Sequence, residues 1–400
     1  MLPLQGIRVL DFTWVVAGPA ATRVLADLGA EVIKVERKVS GFVIGTRRAG
    51  LMADLNRNKR SIAINMAVPA GVELAHRLVR ISDIVVDNFS ARVMRQWGMD
   101  YDSLVRIKPG IICLSMSGFG HTGPRANFIS YGPTLQALSG FTLDMQDEHG
   151  RPAGFGYSYA DMAGGCSGAL AALIALWHRR RTGEGQFIDL SQFEALVSVI
   201  GPSLLDLTVN ERRQEPPRWR PQEEPAAPHG VYRCRPDGDD ADRWLAISVR
   251  SHSDWRRFVA AIGSPQWASD ARFRTLFLRM RNRELLDQHI SQWTAEQDAW
   301  EAMRTLQDAS IAAAVVSNAA DLCTRDPQLG ARNFWPATGL PGGGRLNLTG
   351  TPFRLSETPS AAPRCAPEID QDRDWVLTEV LGLDRSAQQA LIEAGAIHPE

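Results

Sequence analysis

The stretch from Gly156 to Arg180, GYSYADMAGGCSGALAALIALWHRR, holds a single carboxylate, Asp161, at the head of an alanine-rich run. The run reads as a buried helix beginning at Met162, which puts Asp161 directly before it. An aspartate in that place commonly serves as an N-cap, accepting backbone N–H groups and doing nothing more. Two features open a second reading. Gly164, Gly165 and Gly168 fall in the first two turns, where each glycine costs about 1 kcal/mol of helix stability relative to alanine. Close approach by another backbone or by a ligand would account for them. Phe155, Tyr157 and Tyr159 flank the carboxylate and would desolvate it. The helix dipole and the free N–H groups of the first turn favour the anion. An ionised, partly desolvated carboxylate is a competent nucleophile toward an acyl group, and neighbouring N–H groups can stabilise the oxyanion that forms.

Other chemistries find no motif. The loops AGPAATR and GFGHTGP follow apolar strands but are neither GxGxxG nor GxxxxGK[ST], so a nicotinamide or P-loop nucleotide site is unsupported. SGFGHTGP lacks the GxSxG elbow of serine hydrolases. The eight histidines show no HExxH or other metal spacing, and no metal is expected. Cys113, Cys166, Cys234, Cys323 and Cys365 are scattered without CxxC spacing, which argues against a disulfide framework and suits a reducing cytoplasm. The arginines of GTRRAG, Gly45 to Gly50, read as solvated surface. The composition, 44% hydrophobic and 22% charged, is that of an ordinary globular protein. A net charge of −1 offers no general attraction to nucleic acid or a membrane surface. No apolar run is read as long enough to span a membrane, and MLPLQGIRVLDFT lacks the pattern of a signal peptide. A cytoplasmic protein with no nucleic-acid or membrane partner is expected.

The elements that must position Asp161 follow from the hydrophobic periods. GIRVLDFTWVVAGP reads as a strand, Ile7 to Phe12, and a loop; AATRVLADLGA is an amphipathic helix; EVIKVER is the next strand. That β-α-β unit requires parallel strands. PAGVELAHRLVRIS continues as a helix, DIVVDNF as a strand, RVMRQWGMDYDSLVRIKP as a helix broken at Gly98, and GIICLSMSGFG as a strand ending in a glycine loop. Alternation of this kind predicts an open, doubly wound α/β sheet over residues 1–209. Residues 210–228 are rich in proline and charge and read as a linker. Residues 229–320 carry two strands around an Asp/Gly turn and then helices, a smaller α+β domain. Residues 321–400 are extended and glycine-rich, then helical from Ile369.

Seven segments, in order and over nearly the whole chain, carry a resemblance. They are GIRVLDFTWVVAGPAATRVLADLGAEVIKVER, LNRNKRSIAIN, DNFSARVMRQWG, LSMSGFGHTGP, DMAGG, TGEGQFIDLSQFEAL and GTPFRLSETP. The chain resembles the class III coenzyme A-transferases of the CaiB/BaiF type, which include formyl-CoA, carnitine and benzylsuccinate CoA-transferases and are related to α-methylacyl-CoA racemases. The resemblance implies a Rossmann-like large domain built from both ends of the chain, 1–209 and 321–400, with the smaller domain between. It implies an interlocked, ring-like homodimer, or alternatively a hetero-oligomer with a paralogous subunit. Acyl-CoA and a small carboxylic acid would be the substrates, with no permanently bound cofactor. Asp161 matches the family's nucleophile, which passes through an aspartyl anhydride and an aspartyl-CoA thioester.

The resemblance also assigns binding positions. Arg37 matches a residue that holds the nucleotide end of CoA; Val15, Ile64, Asn88 and Phe89 match CoA-contacting positions, with Trp97 beside them. Many members carry arginine where this chain has Gln96, and the neighbouring Arg95 is turned by about 100° around a helix. The racemases pair their aspartate with a histidine in the segment matching YGPTLQALSG. Here Gln136 stands in that place and cannot shuttle a proton, while His121 and His149 do not align. A transferase is therefore expected, with a racemase or a non-catalytic CoA-binding subunit as alternatives. The implied substrate pocket comprises Trp14, Val16, Tyr131, Gln136, Tyr159, Gly164 and Gly165. Trp14 and Val16 replace polar residues of the oxalate-using branch, and apolar lining favours a bulky or apolar acid such as an aryl- or alkyl-succinate. Succinyl-CoA is the donor implied by likeness to the benzylsuccinate branch.

Overall fold

The apolar runs of the N-terminal half are short and buried on both faces, as strands of a helix-covered parallel sheet must be. In a computed structural model, which describes residues 1–37, 46–143, 145, 151–154, 156–211, 225–238, 240–339 and 345–398, they form six strands. These are β1 (Arg8–Asp11), β2 (Glu31–Glu36), β3 (Arg60–Ala63), β4 (Ile84–Asp87), β5 (Ile112–Ser117) and β6 (Phe187–Ser191). All pair in parallel, in the order β3-β2-β1-β4-β5-β6. The chain winds outward from β1 in one direction to β3, then returns to place β4 on the other side of β1. The expected doubly wound sheet is thus present, and its switch point lies between β1 and β4, where such folds leave a crevice beyond the strands' carboxyl ends.

Helices α1 (Ala17–Asp27), α2 (Thr46–Leu55), α3 (Pro69–Arg80), α4 (Ala91–Gln96), α5 (Tyr101–Ile107), α6 (Gly132–Leu138), α7 (Tyr159–Thr182), α8 (Gln192–Val197) and α9 (Gly201–Asn210) complete the N-terminal part. The break anticipated at Gly98 separates α4 from α5, and Gly98 takes a positive φ of 63°. One core cluster, including Leu25, Val86, Leu114 and Ala172, lies on the α1/α7 face of the sheet. The other, including Leu10, Leu74, Leu78 and Leu104, lies under α3 and α5.

The structure divides into two compact units, Met1–Pro216 with Gly330–Glu400, and Pro217–Leu329. In the first, the C-terminal segment closes the open edge of the sheet. Asp372 accepts from the Ser61 backbone N–H at 2.9 Å and returns its own N–H to the Ser61 carbonyl at 2.9 Å, while Asp370 accepts from Ala63 N–H at 2.8 Å. Unpaired strand groups at an edge are thereby satisfied. The second unit holds an antiparallel sheet of β7 (His229–Arg233), β8 (Trp244–Ser248) and β9 (Ala312–Val315). Its core gathers Tyr232, Leu245, Trp255, Phe258, Phe273 and Ile290. Most of the expected linker lies outside the described residues.

Two expectations need correction. Helix α7 begins at Tyr159, with Ser158 in the N-cap position, so Asp161 is the third helical residue and not the cap. And two helical stretches, Tyr159–Thr182 and Gln192–Asn210, are long and apolar enough to cross a membrane by length and composition. The reason in α7 is that its charges gather at its ends, Asp161 in the first turn and Arg179, Arg180 and Arg181 in the last.

Candidate active site

Past the carboxyl ends of β1 and β4 the two strands are held together by one side chain. Asn88 accepts the Trp14 backbone N–H at 2.9 Å and donates its amide to the Trp14 carbonyl at 2.9 Å. The Trp14 ring lies 6.4 Å from Phe89, which meets Trp97 edge-on at 5.5 Å. Four of the expected CoA and pocket positions, Trp14, Asn88, Phe89 and Trp97, are therefore neighbours. Trp14 and Val15 are 53% and 41% exposed, an unusual state for apolar side chains at the mouth of a crevice. Val15 also adopts φ +63°, a left-handed conformation that is a true outlier for a β-branched residue. Val16 is half-buried at the head of α1, and Arg37 is exposed just past β2. Ile64 is 2% exposed within the apolar core that also supports Phe89 and Trp97, with its Cγ2 3.5 Å from where a Cβ on Gly71 of α3 would lie.

Asp161 reaches the same end of the sheet through packing of α7 on α1. A Cβ placed on Gly165 would lie 2.8 Å from Ala20 Cβ and 3.1 Å from the Ala17 carbonyl, and one on Gly168 would meet Ala21 Cβ at 3.4 Å. The contacts advance together along both helices, so α1 and α7 run parallel and their N-termini lie side by side. Asp161 is one turn before Gly165 on the same face, at the level of the Trp14–Val16 loop. The small residues at this contact serve backbone approach. Gly164 faces Gln192, whose Cγ would be 2.9 Å from a Cβ there. Of the two approaches that these glycines suggested, by another backbone or by a ligand, protein atoms occupy the places that side chains at Gly164 and Gly165 would take.

The carboxylate itself is hemmed by α6. A Cβ on Gly132 would fall 2.7 Å from Asp161 Oδ2 and 1.6 Å from Ser158 Oγ, so only glycine allows α6 to come this close. Burial pushes the Asp161 carboxyl above its ordinary value, and the Ser158 hydroxyl facing it works in the opposite direction. The helix terminus thus does not leave Asp161 the easily ionised group the sequence suggested. Tyr157, 49% exposed, lies close enough to feel the charge. Gln136 is 3% exposed, and its Oε1 accepts the Tyr159 backbone N–H at 2.9 Å. Its Oε1 is thus engaged by the first turn of α7. Tyr159 stacks on Phe141 at 5.1 Å. Tyr131, 56% exposed, opens α6. Phe155 and His149 lie outside the described residues.

Several residues escaped the sequence reading. Ser158 and Gly132 are short side chains whose meaning appears only when α6 docks on α7. A second group sits behind the crevice. Asp87 Oδ1 accepts from Phe89 N–H at 3.1 Å and from Ser115 Oγ at 3.1 Å, and Ser115 Oγ is 2.7 Å from His121 Nε2. The His121 backbone N–H donates to both Asp189 oxygens, at 2.9 and 3.0 Å. Burial raises Asp87 to about 7 and lowers His121. Among the described residues no group of His, Cys, Asp or Glu could hold a metal ion.

A half-buried carboxylate beside an apolar crevice, at the switch point of a doubly wound sheet, suits an enzyme that handles acyl groups. The model of CoA-transferase family III matches residues 4–373, and the chain belongs to that family. CoA thioesters are the family's substrates. The chain is similar to the succinate–glutarate CoA-transferase of Agrobacterium fabrum, 31% identical with 96% of this chain and 97% of that protein covered. It is similar to the succinyl-CoA–D-citramalate CoA-transferase of Chloroflexus aurantiacus, 30% identical with 95% and 94% covered. Among solved structures, a CaiB/BaiF family protein from Brucella suis superimposes with a TM-score of 0.84 at 29% identity, with 95% of this chain and 99% of that chain covered.

Proposed function

We propose that the protein moves coenzyme A from succinyl-CoA to a second carboxylic acid, with Asp161 as nucleophile. The observation that carries this reading is the Asp161 carboxylate, half-buried in the first turn of α7 at the level of the Trp14–Val16 loop. Its oxygen attacks the thioester carbonyl of succinyl-CoA, and the CoA thiolate leaves as the mixed anhydride forms. The thiolate then attacks the aspartyl carbonyl, succinate leaves, and an aspartyl-CoA thioester results. The acceptor carboxylate repeats the first step on that thioester, and thiolate attack on the acceptor's carbonyl releases the new acyl-CoA and restores Asp161. Burial of the carboxylate strengthens it as a nucleophile by removing water that would have to be displaced. Arg37 would hold the nucleotide end of CoA, where a planar guanidinium suits phosphate and adenine. Val15, Asn88, Phe89 and Trp97 would line its path.

For the acceptor, the exposed Trp14, Tyr157 and Tyr159 favour a dicarboxylic acid with an apolar body, an alkyl- or aryl-succinate. The names of the similar transferases, with succinate, glutarate and citramalate, support a dicarboxylate and a succinyl donor. A second copy of the chain would complete the protein as a homodimer. Support comes from apolar surface that no described residue covers: Leu170, Ile174 and Trp177 on one face of α7, and Leu205 and Val209 on α9, are 58–71% exposed.

The test is a mass-spectrometric screen of CoA transfer from succinyl-CoA to glutarate, citramalate, benzylsuccinate and alkylsuccinates, run with wild type and Asp161→Asn. Wild type is expected to transfer, and hydroxylamine trapping should label Asp161. The Asn variant should fold and bind acyl-CoA while losing on the order of 10³-fold or more in rate. An active Asn variant, or a label on another residue, would remove Asp161 from the chemistry.

A further inference from the structure

Beneath the turn that carries Trp14 and Val15 lie three charged side chains with almost no access to water. Asp11 ends β1 and is 0% exposed, Lys59 precedes β3 and is 0% exposed, and Lys34 on β2 is 6% exposed. Asp11 Oδ1 accepts the Thr13 backbone N–H at 2.8 Å and the Thr13 hydroxyl at 2.5 Å; Oδ2 accepts the Thr22 hydroxyl at 2.7 Å. Lys59 Nζ stands 3.2 Å from Asp11 Oδ2 and donates to Asn56 Oδ1 at 3.0 Å and to the Pro19 carbonyl at 3.2 Å. Lys34 Nζ donates to the Thr13 carbonyl at 2.6 Å. Burial drives the Asp11 carboxyl up, but Lys59, Lys34 and the two threonine hydroxyls outweigh it and hold it at about 2. Burial likewise drives the Lys59 ammonium down, against Asp11 and the more distant Glu36.

Three buried ions are a costly way to fill a core, and apolar residues of similar volume commonly serve stability better. What these ions touch explains them. The two ammonium groups grip backbone carbonyls at Thr13 and Pro19, one on each side of the segment Trp14–Gly18. Inside that segment Val15 is held at φ +63°, and such a conformation persists only where the surroundings over-determine it. The Asn88 side chain, bonded to Trp14 at both backbone groups, fixes the same segment from the crevice side.

We infer that Lys34 and Lys59, the latter paired with Asp11, are positioning residues that clamp the Thr13–Pro19 turn in its strained form so that Trp14, Val15 and Val16 face the acyl-CoA. This rests on the proposed reading of the crevice as the acyl-CoA site. It gives the LNRNKRS segment, which supplies Lys59 and Asn56, a task in the reaction.

Lys34→Met in the full chain removes the grip on Thr13 and leaves the Asp11–Lys59 pair. Hydrogen exchange followed by mass spectrometry should show the Trp14–Ala17 amides exchanging at least about tenfold faster, with the α7 peptides unchanged. KM for succinyl-CoA should rise about tenfold with kcat within about threefold, and Lys34→Arg should recover part of the loss. Glycine takes positive φ without strain, so Lys34→Met in a Val15→Gly background should cost much less than in wild type. If Lys34→Met does not fold, Lys34→Gln, which is uncharged and one atom too short to hold the Thr13 carbonyl as Lys34 does, carries the same expectations. Unchanged exchange and KM in a folded variant would overturn the inference, as would equal losses in the wild-type and Val15→Gly backgrounds. Loosening of the turn in a protein whose wild type transfers no CoA would leave the clamp standing and overturn its part in the reaction.

Discussion

At the residue scale, the carboxyl groups of this protein are sorted by what lies beside them. Asp11 has two ammonium groups near it and is held low; among the described residues Asp161 and Asp87 have hydroxyl or backbone donors, and burial carries both upward. Asp87 titrates at about 7 in the folded chain against 3.8 when exposed. Between those values the folded state binds more protons than the unfolded one, so stability falls as pH rises through this window. Each pKa unit corresponds to about 1.4 kcal/mol. His121, whose pKa burial lowers, contributes with the opposite sign, and Asp161 with the same sign. The difference between wild type and Asp87→Asn therefore isolates Asp87. Urea denaturation from pH 4.5 to 8 should give a wild-type stability that declines relative to the Asn variant; parallel curves would refute the assignment. Asp161 was legible as the one carboxylate at the head of an apolar helix. Its neighbour Gly132 was not, because nothing in the order of residues brings the start of α6 against the start of α7.

At the scale of elements, the parallel contact of α1 and α7 brings the crevice loop and Asp161 to one level. Its glycines were legible as a sign of close approach, and the packing puts protein atoms of α1 and Gln192 against them. They should not respond alike to added bulk. Gly165→Ala places a methyl 2.8 Å from Ala20 Cβ and 3.1 Å from a backbone carbonyl, neither of which can yield without moving a helix. Gly168→Ala meets chiefly the end of Met116, at 2.8 Å from Sδ and 2.9 Å from Cε, and a methionine can change rotamer. Overpacking costs about 1–3 kcal/mol, against a gain of about 1 kcal/mol in helix propensity. Gly165→Ala should lower stability by about 1–2 kcal/mol in denaturant titration and disturb transfer, while Gly168→Ala stays near wild type. The reverse order would show that the helices do not meet along this line.

At the scale of the whole molecule, α7 and α9 leave unsatisfied apolar faces. Leu170, Ile174 and Trp177 repeat at helical spacing and are exposed, which water penalises at about 25 cal/mol per Å² of apolar surface. A membrane and a second copy would each cover them; the parallel-sheet unit to which they belong and the family favour a second copy. Light scattering at micromolar concentration should give a dimer, and Trp177→Glu with Leu205→Glu should shift it toward monomer or remove the protein from solution. A wild-type monomer would contradict the proposed assembly.

By itself the sequence determined what local period and composition can carry: parallel β-α-β alternation, the break at Gly98, a carboxylate heading an apolar helix, and the ordered segments of the family. Those are properties of residues near one another in the chain. Only the tertiary structure decided what depends on distant segments meeting. It moved the start of α7 to Tyr159, because Gln136 of α6 receives that residue's N–H. It took Ile64 into the core, and it turned Gly164 and Gly165 toward protein. It also closed Asp11 of β1, Lys34 of β2 and Lys59 just before β3 into one buried group. A charged residue in a sequence reads as surface until folding supplies the partner that lets it be buried, and here Asp11 meets Lys59 from 48 residues away and Lys34 meets the Thr13 carbonyl from 21 residues away.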